Sequence, residues 1–216
     1  MIKCCIFDLD GTVLDTITTI TYFVNVALQK WALKQITIEQ GKIFAGNGAR
    51  KLIERSCKNA GVTNEGTIAE VLEFYNKTYD DNPLHLTKAF DGILEMLDAL
   101  NQKGIKLAVL SNKPDSTVKG VVKAFFGERF AYVAGGKDGV PLKPNPDCTL
   151  ELLEKLSVSA DEVMFVGDTS VDIETGKNMR AGKTVGVLWG FRKREELEGA
   201  GADVIVSSPL EILEHI

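Results

Sequence analysis

Short apolar runs alternate with amphipathic stretches along most of this 216-residue chain, and this alternation restricts the fold more than any other feature. The runs 105–110 and 163–166 are apolar, short and without a helical period, which is typical of buried strands. Between them, the apolar residues Val118, Val121 and Val122 recur at helical spacing. Strands that alternate with helices form parallel sheets through right-handed crossovers. We therefore predict an α/β fold with a doubly wound parallel sheet.

The segment 16–81 interrupts this alternation with helical patterns only. Apolar residues such as Ile17 and Ile20 recur at helical spacing, no strand signal intervenes, and an Asp-Asn-Pro sequence marks the end of the segment. We predict a small helical domain over 16–81, inserted after the first strand of an α/β domain that consists of 1–15 and 82–216.

The composition is that of an ordinary globular protein with a modest acidic excess. Hydrophobic residues make up 44% of the chain and the formal net charge is -5, so no general attraction to nucleic acid is expected. No apolar stretch approaches the ~20 residues that span a bilayer, and the N-terminus enters the first strand without a signal segment. Cys4, Cys5, Cys57 and Cys148 show no C-x-x-C spacing, which favours reduced, packed thiols. We expect a soluble, cytoplasmic protein.

The first strand ends in two carboxylates, Asp8 and Asp10, followed by Gly11. Residues two apart in an extended segment point to the same side, so both carboxylates are expected at the carboxyl end of the strand. In open α/β sheets ligands bind at that edge. Because two close carboxylates repel each other, the pair suits a site that also holds a cation.

Polar residues also follow two later strands and fill one loop. Ser111 and Asn112 follow the run 105–110, and Asp168 and Asp172 follow the run 163–166. Lys143 lies in the loop Leu142-Lys143-Pro144-Asn145-Pro146, which contains two prolines. All parallel strands end at one edge of the sheet, so these side chains are expected in one pocket. Hard oxygen ligands without histidine or thiolate suit Mg²⁺.

The order of these clusters resembles that of the haloacid dehalogenase superfamily, specifically its phosphatases. The four segments that carry the resemblance are Asp8-Leu9-Asp10-Gly11-Thr12, Leu110-Ser111-Asn112, Lys143-Pro144 and Gly167-Asp168-Thr169-Ser170-Val171-Asp172. They span the α/β domain, and the helical insertion after the first segment resembles the superfamily's cap domain.

The resemblance implies a Mg²⁺-dependent phosphatase with an aspartyl-phosphate intermediate. Asp8 would be the nucleophile, and Asp10 the acid that protonates the leaving alkoxide and then activates water. Mg²⁺ would be held by Asp8, the backbone carbonyl of Asp10 and Asp168. An acid at position 10 favours ester hydrolysis, since dehalogenase-type members of the superfamily lack it.

The same resemblance gives roles to the residues around this centre. Lys143 and Ser111 would act on the transferring phosphoryl group, and Asn112 would add a hydrogen bond to the substrate. Asp172 and Thr12 would lie behind the metal ligands, where Asp172 would orient Lys143 or metal-bound water. Asp172 is equally consistent with a helix cap, and with both tasks together.

The substrate is expected to be a small phosphate ester selected by the helical domain. In the segment Gly46-Asn47-Gly48-Ala49-Arg50-Lys51-Leu52 the two glycines permit a tight loop, and Arg50 is expected to reach an anionic group of the substrate. The segment resembles the cap loop of phosphoglycolate phosphatases, which favours a small phosphorylated acid such as 2-phosphoglycolate. The alternative is that both glycines only turn the chain and that Arg50 is solvated.

Other readings of the same sequence stay open. One is a different specificity on the same fold: a sugar phosphate, nucleotide or pyrophosphate phosphatase, or a β-phosphoglucomutase-like phosphotransferase. Another is a binding or regulatory protein on a phosphatase fold, which would be expected to carry a broken motif. We expect a monomer or homodimer, with neither nucleic acid nor a membrane as partner.

Overall fold

The computed structural model describes all 216 residues, which form two compact units: Met1–Asp15 with Ala89–Ile216, and Thr16–Lys88. The sequence predicts that the chain re-enters the α/β domain at residue 82, whereas in the structure it re-enters that unit after Lys88. Hydrogen bonds explain this difference, because the Thr19 hydroxyl donates to the carbonyl of His85 at 2.6 Å and lies 3.0 Å from the Thr87 hydroxyl. The residues after the last helix of the insertion therefore stay with the helical unit.

Eight strands and nine α-helices make up the regular structure. The strands are β1 (Cys4–Phe7), β2 (Leu14–Asp15), β3 (Lys88–Ala89), β4 (Lys106–Pro114), β5 (Tyr132–Gly136), β6 (Val163–Gly167), β7 (Lys183–Val187) and β8 (Val204–Val206). The helices are α1 (Ile17–Lys30), α2 (Ile38–Phe44), α3 (Gly48–Asn59), α4 (Glu65–Asp81), α5 (Ile93–Gln102), α6 (Asp115–Phe126), α7 (Leu150–Leu156), α8 (Ser170–Asn178) and α9 (Arg194–Gly199).

The α/β unit contains a six-stranded parallel sheet in the order β5-β4-β1-β6-β7-β8. β1 is central and pairs with β4 on one side and β6 on the other. The order reverses direction at β1, which is the topological switch of a doubly wound sheet. This arrangement confirms the predicted fold class.

Alternate residues of the central strands enter two separate apolar clusters. Cys5 and Phe7 of β1 belong to one cluster, and Cys4 and Ile6 belong to the other. Successive side chains of a strand point to opposite faces, so the sheet is covered on both sides. Burying a side chain of the size of Phe7 contributes about 1.5–3 kcal/mol. The rigid sheet therefore fixes the end of β1.

β4 is longer than the predicted strand, which ended at residue 110. Its pairing with β5 is regular up to Leu110 and then shifts register before Pro114. Ser111 and Asn112 consequently lie inside the irregular end of β4 rather than in a loop after it. Such irregularities re-aim side chains near sites.

The helical unit consists of α1 to α4, and local signals set their limits. Thr37 and Gln40 form a reciprocal capping box at the start of α2, and Asn64 accepts a hydrogen bond from the backbone N–H of Thr67 at the start of α4. Buried residues such as Val24 and Val71 pack the helices together. Nowhere does a helix combine the length and apolar character that crossing a bilayer requires.

Candidate active site

The chain turns tightly where β1 ends. The backbone N–H of Asp8 still donates to the carbonyl of Val166 in β6, at 2.9 Å, and the carbonyl of Leu9 then accepts from Val13 and Leu14. Gly11 adopts a φ of 89°, a conformation that favours glycine. The two predicted carboxylates are thereby held at the carboxyl edge of the sheet.

Lys143 is buried between two carboxylates. Its Nζ lies 2.8 Å from Asp8 Oδ1 and 2.7 Å from Asp172 Oδ1, and only 2% of its side chain is exposed. Burial opposes the charge of this lysine, but the carboxylates of Asp172 and Asp8 outweigh that effect and raise its pKa above the ordinary value. Lys143 is therefore a fixed ammonium beside the predicted nucleophile.

Asn112 positions the backbone of this lysine. Its Oδ1 accepts from the Lys143 N–H at 2.8 Å, and its Nδ2 donates to the Lys143 carbonyl at 3.1 Å. Ser111 Oγ accepts from the backbone N–H of Lys113 at 3.3 Å, which leaves its hydroxyl hydrogen available to donate. The predicted substrate contact of Asn112 stays a prediction, because both ends of its side-chain amide bind the Lys143 backbone.

Asp172 binds both Thr169 and Lys143 at the start of α8. Its Oδ2 accepts from the backbone N–H and the hydroxyl of Thr169, at 3.0 and 2.8 Å, while its Oδ1 accepts from Lys143. Both oxygens thus have protein partners. Asp172 accepts hydrogen bonds at the start of the helix and from Lys143, and its predicted role in orienting Lys143 stays a prediction.

Asp168 is completely buried and bound from two sides. Thr12 Oγ1 donates to its Oδ1 at 3.2 Å, and the backbone N–H of Phe191 donates to its Oδ2 at 2.7 Å. A Cβ at Gly11 or Gly190 would collide with this side chain, so both positions require glycine. Thr12 therefore contacts Asp168 directly, and its place behind a metal ligand stays a prediction.

The segment around Phe191 carries contacts that the sequence analysis did not identify. Trp189 Nε1 donates to the carbonyl of Thr12 at 2.8 Å, so this indole fixes the turn after β1. The Phe191 contact uses a backbone N–H, which has no side-chain signature. Only the tertiary structure brings this segment to Asp168.

The three buried carboxylates of Asp8, Asp168 and Asp172 crowd together, with one oxygen of each within 4.8 Å of the others. Burial, with repulsion from Asp172, raises the pKa of Asp8 to about 7 in spite of Lys143. Burial and the neighbouring Asp172 and Asp8 carboxylates raise the pKa of Asp168 well above its ordinary value. One lysine does not neutralise three ionised carboxylates, and the pKa values of Asp8 and Asp168 are raised because their charged forms are not fully compensated. A donor set of hard oxygens with this uncompensated charge fits Mg²⁺.

Asp10 is bound by a lysine that the sequence analysis did not assign. Lys113 Nζ lies 2.6 Å from its Oδ1 and 2.9 Å from its Oδ2. The site thus contains two lysines, each paired with a carboxylate of the turn after β1.

Arg50 lies on α3 in the helical unit, where Glu54 and Glu65 bind its guanidinium at 2.8 and 2.9 Å. The neighbouring turn is held by Arg55, which donates to the carbonyl of Phe44 at 2.7 Å and to Asn47 Oδ1 at 2.9 Å. Arg55 therefore shapes the glycine-containing loop, and the sequence analysis did not identify it.

The raised pKa of Asp8 predicts how stability depends on pH. A carboxyl group whose pKa rises from 3.8 to about 7 on folding stabilises the fold below 3.8, and this contribution is lost as pH rises through about 7. In EDTA, the free energy of unfolding of the wild type minus that of Asp8→Asn should therefore fall across this range. Urea unfolding at a series of pH values measures the difference. A difference that rises with pH would contradict the electrostatic account.

Comparison with known proteins agrees with this geometry. The sequence profile of haloacid dehalogenase-like hydrolases matches residues 5–187. Phosphoglycolate phosphatase of Aquifex aeolicus is 33% identical, covering 96% of this chain and 93% of that protein, and the enzyme of Vibrio parahaemolyticus is 30% identical, covering 100% and 96%. The crystal structure of a protein from Lactobacillus delbrueckii subsp. bulgaricus superimposes on this chain with a TM-score of 0.93 at 34% sequence identity, and the match covers 99% of this chain and 98% of that protein. β-Phosphoglucomutase of Clostridium difficile, at 20% identity and a TM-score of 0.80, shares the fold alone.

The doubly wound sheet, with carboxylates and a buried lysine at the end of its central strand, together with the matching profile and the curated relatives, identifies a phosphatase of the haloacid dehalogenase type. The chain belongs to the haloacid dehalogenase-like hydrolase family, and it is similar to phosphoglycolate phosphatases over its whole length. The family predicted from the four sequence segments is confirmed.

Proposed function

We propose that the enzyme is a Mg²⁺-dependent phosphomonoester hydrolase that transfers the phosphoryl group to Asp8. The observation that carries this proposal is the buried Lys143 that joins Asp8 to Asp172 beside Asp168. A buried ammonium next to a carboxylate nucleophile creates a place for a phosphate dianion, which the carboxylates alone would repel.

Mg²⁺ would be held by Asp8, Asp168 and the backbone carbonyl of Asp10. When bound, it offsets the negative charge that the carboxylates and the phosphate bring together. Asp172 is better suited to act through Lys143 than as a metal ligand, since both of its oxygens accept hydrogen bonds from protein groups.

The residues of the chain would carry the reaction in two steps. A carboxylate oxygen of Asp8 attacks phosphorus, and the ester P–O bond breaks while Asp10 donates a proton to the leaving alkoxide. Water then attacks the aspartyl-phosphate, Asp10 takes its proton, and the bond between phosphorus and Asp8 breaks. Lys143 and the Ser111 hydroxyl bind the phosphoryl oxygens in both steps.

A small phosphorylated acid such as 2-phosphoglycolate is the proposed substrate. The names of the relatives support it, as does the loop that Arg55 holds beside Arg50 in the helical unit. The substrate carboxylate would replace Glu65 as a partner of the Arg50 guanidinium. This exchange is feasible because the Glu65 side chain is exposed to solvent. The proposal keeps a cytoplasmic location and a monomeric or homodimeric state.

Phosphate release from a panel of phosphomonoesters, with Mg²⁺ and with EDTA, tests the proposal. The panel contains 2-phosphoglycolate, sugar phosphates, nucleoside monophosphates, pyrophosphate and 4-nitrophenyl phosphate. We expect Mg²⁺-dependent release with the highest kcat/KM for 2-phosphoglycolate. A preference for another ester would overturn the specificity but keep the chemistry, and absence of Mg²⁺-dependent release from every compound would contradict the chemistry itself.

A further inference from the structure

The carboxylate of Asp10 is bound by Lys113, a partly buried lysine on the neighbouring strand β4. Lys113 Nζ approaches both oxygens of Asp10, at 2.6 and 2.9 Å, and the exposed fractions of the two side chains are 8% and 16%. An ammonium that meets both oxygens restrains the rotation of a carboxyl group more than a single contact does. Asp10 is therefore held in one orientation.

The framework around Lys113 is itself fixed. Lys113 lies in the irregular end of β4, where its backbone N–H donates to Ser111 Oγ at 3.3 Å. Gly135 of β5 packs so closely against its carbonyl that a Cβ there would collide with it, and the Gly135 N–H donates to Asp115 Oδ1 at 3.0 Å. The position of the Lys113 backbone is thus set by the sheet.

The two lysines of the site have different partners. Lys143 joins Asp8 to Asp172, whereas Lys113 contacts Asp10. Lys143 is therefore placed to act on the phosphoryl group, and Lys113 is placed to act through the carboxyl group that moves protons.

We propose that Lys113 is a positioning residue for the proton transfers of Asp10. When the ester bond breaks, the O–H bond of Asp10 breaks and the leaving alkoxide gains the proton; the Lys113 ammonium stabilises the carboxylate that remains and keeps its own protons throughout. This inference rests on the proposed function, in which Asp10 is the acid.

Two substrates with different leaving groups test the inference. The alkoxide of 2-phosphoglycolate needs a proton in order to leave, whereas 4-nitrophenolate leaves without one. Because kcat/KM reports only the steps up to the phosphorylation of Asp8, it isolates the acid step. Lys113→Met should lower kcat/KM for 2-phosphoglycolate by about 10²-fold and that for 4-nitrophenyl phosphate by less than about fivefold.

Three further variants complete the experiment. Asp10→Asn should show the same difference between substrates, and the double variant Asp10→Asn/Lys113→Met should be no worse than Asp10→Asn alone. Lys119→Met, which removes an exposed lysine paired with Asp115, should leave both substrates unaffected. Thermal unfolding checks the folding of each variant. If Lys113→Met does not fold, Lys113→Gln replaces it, and the same difference between substrates is expected.

The outcomes separate the two proposals. Equal losses on both substrates in the Lys113 variant, beside a clear difference in Asp10→Asn, would overturn the role of Lys113 and keep Asp10 as the acid. Equal effects on both substrates in Asp10→Asn itself would overturn the proposed acid step. Additive losses in the double variant would show that Lys113 acts independently of Asp10 and would also overturn the inference.

Discussion

Replacement of Asp8 by asparagine is expected to lower phosphate release by at least about 10⁴-fold while leaving the fold intact. An amide does not attack phosphorus, so the first step would have no nucleophile. The substitution preserves shape and removes one of three crowded negative charges, and Lys143 keeps its contact with Asp172 at 2.7 Å. Steady-state kinetics on the best ester of the panel and circular dichroism measure both parts of the prediction.

The exposed Asp138 provides a matched control. Asp138→Asn makes the same chemical change outside the carboxylate cluster and should leave turnover unchanged. Retained turnover in Asp8→Asn would remove Asp8 as the nucleophile. Loss of both turnover and structure would mean that Asp8 is needed for folding.

Replacement of Lys143 by methionine is expected to abolish turnover and to lower the free energy of unfolding by about 3–5 kcal/mol, measured in urea with EDTA present. The substitution preserves much of the buried aliphatic volume but leaves the carboxylates of Asp8 and Asp172 without their shared cation. Uncompensated buried charge is among the largest single causes of destabilisation.

Two comparisons isolate this electrostatic cause. The double variant Lys143→Met/Asp8→Asn should regain part of the lost stability, since one of the two carboxylates that lost their cation is then replaced by a neutral amide. Lys119→Met breaks an exposed ion pair, for which a loss of about 0–1 kcal/mol is expected. A loss in Lys143→Met no larger than that in Lys119→Met would contradict the account of the buried cluster.

The sequence was sufficient for the fold class and for the residues at the strand ends. Apolar periodicity depends on the buried faces of strands and helices, so β1, β4 and β6 could be located without coordinates. Because parallel strands end at one edge, the juxtaposition of Asp8 and Asp168, which follow β1 and β6, could be inferred from topology. The structure adds the distances and the sharing of one lysine by two carboxylates.

Contacts that depend on strand irregularity or on backbone groups were not accessible from the sequence. Lys113 reaches Asp10 from the part of β4 that departs from regular pairing, which apolar periodicity does not report. The Phe191 contact to Asp168 uses a backbone N–H. Side-chain hydrogen bonds of Thr19 keep the end of the insertion with the helical unit, and an Asp-Asn-Pro signal does not encode them.

Identification of the phosphorylated residue tests the central claim most directly. Asp10→Asn should slow hydrolysis of the intermediate while 4-nitrophenyl phosphate still phosphorylates the enzyme. Acid quenching and intact mass spectrometry would then detect one added phosphoryl group, and peptide mapping would locate it. The account predicts a hydroxylamine-sensitive phosphoryl group on Asp8 that is absent from the Asp8→Asn/Asp10→Asn variant. A phosphoryl group on another residue, or continued turnover without any phosphoenzyme, would contradict the account.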